Sequence, residues 1–355
     1  MAIVALALWL VWAVLAAAAH GELLPVSSPY VLSTLALGGG VVLGDVVSRA
    51  VPTAHVAMGV VALVALLLVA TLVSPGVTGL PLGYANANAA LAIQAMALSG
   101  LLLVRVRPNR RWVLMGAVAA AFVVLALSRS TAATALAVAL VPVLWWAAGR
   151  GSAARRAEAP STASSRRAPL VAGLVSGAAA IAVVWLARTD EWPSGLEAAL
   201  STARHTLWRD ALSGATSHPL VGVGPGHLAE VSSLSTDVDL GAAHSAVLQV
   251  GAETGWPGVV LLALLTGTTL AWASHRGAAA ATIGSSAVAA FTVHAQIDHL
   301  LEFAPLLLLL GIVVGVAGAP ARSEQLDVAE GERPVAGRGR GPGEWSRRED
   351  RSLPG

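Results

Sequence analysis

Most of the chemistry this sequence could do is concentrated between Arg204 and Gly258, in RHTLWRDALSGATSHPLVGVGPGHL and then AAHSAVLQVGAETGWPG. Apart from basic loops and a polar tail, no other long segment is rich in ionisable residues. Arg204 and Arg209 carry planar guanidinium forks that pair with phosphate or carboxylate oxygens. On a helix of about 3.6 residues per turn, a spacing of five sets them roughly 140° apart, so one face cannot use both. His205 and Arg209, four apart, share a face, and Trp208 lies one turn from Arg204, where a guanidinium can stack. His244 brings the side chain best suited to moving a proton near neutral pH. Glu253 follows nine residues later, nearly half a turn out of phase, so a single straight helix does not build a His–Glu dyad.

Other residues fit a chemical and a structural reading alike. Arg129, in Ser128-Arg129-Ser130, occupies a turn of about three residues between apolar spans, where it can snorkel to water or receive an anionic ligand. Asn86 and Asn88 begin a span and suit helix capping. Asp237-Val238-Asp239 has the D-x-D form that holds divalent ions through hard oxygens, but Asp239 just ahead of a helix is better read as a cap and dipole partner. Gly222-Val223-Gly224-Pro225-Gly226 is Gly-rich without the preceding strand or the Lys-Ser/Thr ending of a nucleotide loop, so a tight turn suffices. His294, Asp298 and Glu302 recur every four residues, as groups lining a wet cavity or marking an interface would.

The elements that must position these groups are membrane helices. Of 355 residues, 56% are hydrophobic and 12% charged, and the mean hydropathy is +0.72, outside the range of ordinary soluble domains. Apolar blocks of roughly 16 to 20 residues match a helix crossing a hydrocarbon core of about 30 Å. They lack the strict alternation of a barrel. Spans are expected at 2–19, 30–48, 54–73, 86–104, 112–127, 131–148, 169–187, 242–274, 278–295 and 303–320, an all-α polytopic bundle of about ten transmembrane helices. The first lacks the basic residues that precede a secretory signal's apolar run and is kept as a helix. There is no Cys and no Lys, which excludes disulfides and thiolate chemistry. The pI near 9.9 comes from loops and does not argue for nucleic acid.

Arg gathers in alternate loops: Arg49; Arg105, Arg107, Arg110 and Arg111; Arg150, Arg155, Arg156, Arg166 and Arg167; and Arg276. The remaining loops hold Arg129, Arg188, Arg204 and Arg209. Positive charge marks the cytoplasmic side, so both termini lie there. The chain divides into N-terminal transmembrane helices (1–187), one large external loop (188–241), C-terminal transmembrane helices (242–320) and a cytoplasmic tail (321–355) with the composition of disorder. In the loop, Ser194 and Glu197 have capping-box spacing. The stripe Leu196, Leu200, Ala203, Leu207 and Ala211 predicts one amphipathic helix ending near Gly214. The stretch 242–274 is too long for one crossing, and Gly255-Trp256-Pro257-Gly258 predicts a break, with 242–254 external or half-inserted and 258–274 the true span.

These residues resemble the O-antigen ligase and polymerase family of bacterial inner-membrane proteins. Gly83 to Asn88 is similar to that family's G-x-x-N-x-N motif, Ser128-Arg129 to its S-R turn and Arg204 to Trp208 to its R-x-x-x-W segment. Pro219 to Gly224 is similar to P-x-x-G-x-G, and His244-Ser245, Leu248, Glu253 and Gly255 to H-N-x-x-L followed by E-x-G. Ser245 stands where the family commonly has Asn. The chain is also short for the family, which implies that one or two N-terminal helices are absent.

The resemblance implies a fold of the lipid-linked-sugar (GT-C-like) glycosyltransferase type and a metal-independent enzyme with no cofactor. It would move a glycan from a polyprenyl pyrophosphate to a lipid, glycan or protein acceptor hydroxyl at the outer face of the inner membrane. Arg204, Arg129 and Arg209 would then face the pyrophosphate and His244 would be the base or acceptor-orienting group. Glu253 would position the acceptor, and Asn88 would contact substrate. Polymerisation of lipid-linked repeats is the alternative within the family. A transporter or flippase would need ionisable groups at midplane helix breaks, and only Asp45, with Arg49 four residues on, comes near. A non-catalytic envelope scaffold gives no reason for Arg and His to gather in one external loop.

Overall fold

The computed structural model of the chain describes residues 2–106, 111–154, 162–234 and 241–320. The tail 321–355 and the pair Asp237 and Asp239 lie outside the described residues. Ten apolar helices are present: α1 (Ala2–Ala19), α2 (Pro29–Ala50), α3 (Thr53–Val73), α4 (Ala85–Arg105), α5 (Arg111–Leu127), α6 (Thr131–Ala154), α7 (Thr162–Arg188), α11 (Ala246–Ala273), α12 (Ala278–Ala295) and α13 (Ala304–Gly318). Between α7 and α11 lie the shorter α8 (Ser194–Leu200), α9 (Thr202–Ser217) and α10 (Leu228–Val231). No strand occurs among the described residues. Six helices or helix segments, α2, α3, α4, residues 167–188 of α7, α11 and α12, are long and apolar enough to cross a membrane; the apolar parts of α1, α5, α6 and α13 are shorter. This is an all-helical membrane protein.

The bundle is built around α4. Nearly every side chain from Ala87 to Leu103 is buried, and its Ala-rich sequence lets α3, α5, α6, α12 and α13 pack against it. Small residues allow helix backbones to approach closely where lipid removes the usual hydrophobic drive for association. The same device joins α2 to α13. A Cβ on Gly40 would run into the carbonyl of Leu308, and one on Gly44 into that of Ile312; on the facing helix, Gly311 lies against Leu37 and Gly315 against Val41. Two G-x-x-x-G patterns thus face each other, backbone on backbone.

At the Arg-rich end, Arg49 pairs with Asp45 at 2.8 Å. Arg105 donates to the carbonyls of Val316 (2.6 Å) and Ala319 (3.2 Å), satisfying acceptors that a helix C-terminus leaves open.

Three local expectations change. The segment 194–217 is two helices, because Ser201 takes a left-handed backbone (φ 76°) and caps α9 by accepting from Arg204 N. Ser194 makes no cap, since Pro193 precedes the helix, and Glu197 instead accepts from the Thr202 hydroxyl at 2.8 Å. His294, Asp298 and Glu302 share no helix face, because α12 ends at Ala295 and Glu302 lies in the 3-10 turn Leu300–Glu302.

Replacing Gly315 by Leu forces a side chain into the α2–α13 seam, and such overpacking costs about 1–3 kcal/mol. The expected outcome is a melting temperature in detergent several degrees lower, with Gly116→Leu, at an exposed position where a Cβ meets nothing within 4 Å, leaving it unchanged.

Candidate active site

α11 breaks where its sequence predicts. Gly255 is non-helical (φ 71°, ψ −178°) inside the apparent single helix. A break inside a membrane helix frees backbone groups that need partners, and here they are supplied by the turn after α9. Val223 N donates to Ala252 O (2.7 Å), Gly224 N to Glu253 O (3.1 Å), and Trp256 N to Pro219 O (2.9 Å). Trp12 Nε1 donates to Thr254 O at 2.9 Å. The close approach demands glycine on both sides: a Cβ on Gly222 would meet the Glu253 backbone, and one on Gly255 the Leu220 carbonyl. The Gly-rich run is therefore a lock on the α11 break, and its chemistry is structural.

The lock presents Glu253. The residue is 1% exposed, and Oε2 accepts from Tyr30 OH (2.7 Å) and Gly226 N (2.9 Å) while Oε1 accepts from Gln249 Nε2 (3.2 Å). Of these three donors, Tyr30 and Gly226 hold the N-terminal part of α11 to α2 and the turn, and Gln249 belongs to α11 itself. As the phase argument requires, Glu253 does not pair with His244.

His244 belongs to a second cluster. It precedes the N-cap of α11 in a left-handed conformation (φ 49°) and is 8% exposed. Its Nδ1 lies 3.4 Å from Asp298 Oδ1 and 3.0 Å from His299 Nδ1, and His299 Nδ1 lies 3.0 Å from Asp298 Oδ1. Asp298 also accepts from Tyr84 OH (2.8 Å), Asn86 Nδ2 (2.6 Å) and the His299 amide (2.9 Å). Burial pushes the Asp298 carboxyl up, but hydrogen bonds from His244, His299 and Tyr84 and the charge of His299 together hold it well below the usual carboxylate range. Burial first, and Asp298 second, push the Tyr84 phenol up; the nearby Arg204 opposes them. His244, Asp298 and His299 offer three ligand atoms within 4.8 Å of one another, a set that could hold a divalent ion, although Asp298 already receives several donors.

Arg204 is partly exposed, and its guanidinium forms no hydrogen bond or ion pair among the described residues. Trp208 is fully buried against Trp192, ring to ring at 5.2 Å, so the aromatic partner it takes is Trp192. The face of α9 bearing Leu207, Trp208, Ala211 and Ala215 is buried and packs toward α7 and α11. Arg209 makes a loose pair with Asp190 at 3.5 Å, both exposed. Arg129 is exposed with a left-handed backbone (φ 55°) and makes no side-chain contact with the His244 cluster. Asn88 is 2% exposed, and its amide holds the loop ahead of α4: Nδ2 donates to Gly79 O and Leu80 O, and Oδ1 accepts from Leu82 N. This amide is engaged on both atoms in holding that loop. Asn86 is the residue of that motif that reaches the cluster.

Beneath both clusters a cavity of about 360 Å³ runs between α2, α7, α11, α12 and α13. Tyr30, Gln249, Glu253, Gln296, His299 and Glu302 surround its polar end, while Leu265, Leu270, Val288, Leu307 and Leu310 line its other part. Sequence reasoning overlooked His299 altogether and Tyr84 as a site residue. A His beside an Asp a few residues after an apolar span was the signal for the first.

Helical spans and a partly exposed Arg204 near a buried His–Asp–His cluster define a polytopic membrane protein with an ionisable site. Residues 114–263 match the model of a family described as O-antigen ligase. The match covers less than half the chain; it includes Arg129, Arg204, the Gly-rich lock, His244 and Glu253 but not Tyr84, Asn86, Asp298 or His299. No curated protein matches the chain.

One further tie fixes the turn to α1. His227 Nε2 meets Glu22 at 2.7 Å and its Nδ1 meets Glu230 at 2.9 Å, and hydrogen bonds to Glu22 and Glu230 raise its pKa. A raised folded-state pKa adds stability that is complete below the unfolded value of about 6.5 and is lost as pH rises through the folded value. Wild type is therefore expected to melt above His227→Gln at pH 5.5, with the difference gone by pH 9 in thermal scans.

Proposed function

We propose that the chain is a glycosyltransferase that moves a glycan from a polyprenyl pyrophosphate to an acceptor hydroxyl at the outer face of the bacterial inner membrane, without a metal ion. The reading includes about ten crossings, both termini on the cytoplasmic side, and residues 188–241 outside. The observation that carries it is the unpaired Arg204 guanidinium near a buried cluster of His244, Asp298 and His299. An unpaired, half-buried guanidinium is suited to an anion, and its planar fork fits phosphate oxygens.

The acceptor oxygen attacks the anomeric carbon, the bond from that carbon to the pyrophosphate oxygen breaks, and polyprenyl pyrophosphate departs with the electron pair. Arg204 stabilises the charge that develops on the leaving group, which is where a preorganised cation contributes most. Arg129 and Arg209 sit farther out on exposed segments and assist in drawing the donor headgroup in. The acceptor's proton passes to the His244–His299 pair. Asp298 orients both imidazoles, as a buried carboxylate does for a catalytic histidine. Glu253 positions the acceptor. Asp298 acts here through the histidines and is a positioning residue.

Transfer from a defined polyprenyl-pyrophosphate glycan in membranes tests the assignment. His244→Ala is expected to lower the rate about 10²-fold or more, the range for loss of acid–base assistance. Arg204→Ala is expected to lower it comparably, with little recovery in Arg204→Lys, because an ammonium lacks the fork. EDTA is expected to leave transfer intact. Loss with EDTA and rescue by Mg²⁺ or Zn²⁺ would assign a metal to His244, Asp298 and His299 and overturn the metal-free mechanism.

A further inference from the structure

Two carboxylates meet on one amide at the polar end of the cavity. Gln249 Nε2 donates to Glu253 Oε1 at 3.2 Å and to Glu302 Oε1 at 3.3 Å, so two like charges are bridged by a neutral group. The other partners of Glu253, the Tyr30 hydroxyl and Gly226 N, are neutral as well. No Arg lines the cavity and the chain has no Lys. Among the described residues, His299 is the one lining group able to carry positive charge, and its Nδ1 is turned to His244 and Asp298. Neighbouring carboxylates raise each other's energy, the more so where water is excluded. A cation beside them removes that cost.

The remaining polar groups at that end decide which kind of cation fits. Gln249 Oε1 accepts from Ala243 N at 3.1 Å, Gln296 Oε1 accepts from Val247 N at 3.3 Å, and Gln296 Nε2 donates to Thr292 O at 3.3 Å. A head that must exchange hydrogen bonds would have to break these. A quaternary ammonium asks for none, needing only negative potential and contact with apolar or aromatic surface. Trp9 and Tyr30, stacked with ring centroids 5.9 Å apart, both line the cavity and supply aromatic surface. Farther in, Leu262, Leu265, Leu270 and Leu310 make the walls hydrocarbon.

We infer that this cavity is a binding site for an amphiphile with a quaternary ammonium head and an apolar chain, the head against Glu253 and Glu302 and the chain among the leucines. Lipid heads that bear phosphate, zwitterionic ones included, would set an anion beside the same carboxylates and are disfavoured. Such binding goes beyond the transferase reading and stands apart from it, since it requires no turnover.

The full chain in phosphatidylcholine nanodiscs can be tested with dodecyltrimethylammonium carrying a diazirine in its alkyl chain, with labelled residues mapped by mass spectrometry. Labelling is expected within 173–180 of α7 and 262–270 of α11. Plain dodecyltrimethylammonium should displace it at concentrations about ten-fold or more below those of dodecyl glucoside or dodecyl phosphate, the equivalent of one favourable charge contact. Glu302→Gln, at an exposed position, should weaken the labelling several-fold, and Glu302→Arg should abolish the preference for the cation. A Cβ on Gly173 would touch Leu270 Cδ1 at 3.7 Å, so Gly173→Trp fills the apolar part and should remove the labelling. Equal displacement by all three heads, preference for the glucoside or the phosphate, or labelling that persists in a folded Gly173→Trp protein would overturn the inference. A preference for the cation that survives Glu302→Arg would overturn it too, whether or not the Gly173 variant folds.

Discussion

Between Ala252 and Trp256 the backbone of α11 leaves helical geometry inside an apolar protein, where a carbonyl or amide without a partner costs several kcal/mol. The carbonyls of Ala252, Glu253 and Thr254 are taken by Val223, Gly224 and Trp12, and the amide of Trp256 finds Pro219. Everything near the site follows from that exchange. It fixes the turn 219–226 against α11, it brings Gly226 N to Glu253, and it ties α1 to the same place through Trp12 and through His20, whose Nε2 lies 3.1 Å from Gly222 O. The segment with Arg204 is anchored to the bundle by this exchange of backbone hydrogen bonds and by the buried face of α9.

The second constraint is electrostatic. Asp298 gathers Tyr84 and Asn86 from the start of α4, His244 from the start of α11 and His299 from its own turn. A buried carboxylate is tolerated only when several donors surround it, and here the donors come from three separate parts of the chain. The cluster is therefore both a junction and a polarised site.

Much of this arrangement was readable from residue types. The apolar blocks locate the helices because a hydrocarbon environment permits almost nothing else, and Gly255 with Pro257 marks the break because no ordinary helix accommodates that pair. Ordered motifs single out Arg204, His244 and Glu253. What remained hidden depends on distant pairings. Ser201 ends α8 through a left-handed backbone that a serine rarely adopts, so a continuous apolar stripe reads as one helix. Asn86 and Asn88 look equivalent, yet only the path of residues 79–82 decides that Asn88 serves the loop and Asn86 serves Asp298. The period of four linking His294, Asp298 and Glu302 is real in the sequence, but the helix that would give it meaning stops at Ala295. His299 and Asp298 matter because of residues more than 50 positions away, which no local spacing reports.

The glycine seam between α2 and α13 has an effect at a distance from itself. Tyr30 opens α2, and its hydroxyl must end 2.7 Å from Glu253; the turn carrying Asp298 and His299 leads directly into α13. With backbone packed on backbone, the two helices cannot slide past each other smoothly, since the glycine notches admit only one alignment. A slip of a single residue along α2 would carry Tyr30 about 1.5 Å along the axis, more than the width of the hydrogen-bond distance range. The seam therefore works as a gauge block: glycines midway along the helices set the spacing of side chains at the end that carries the site.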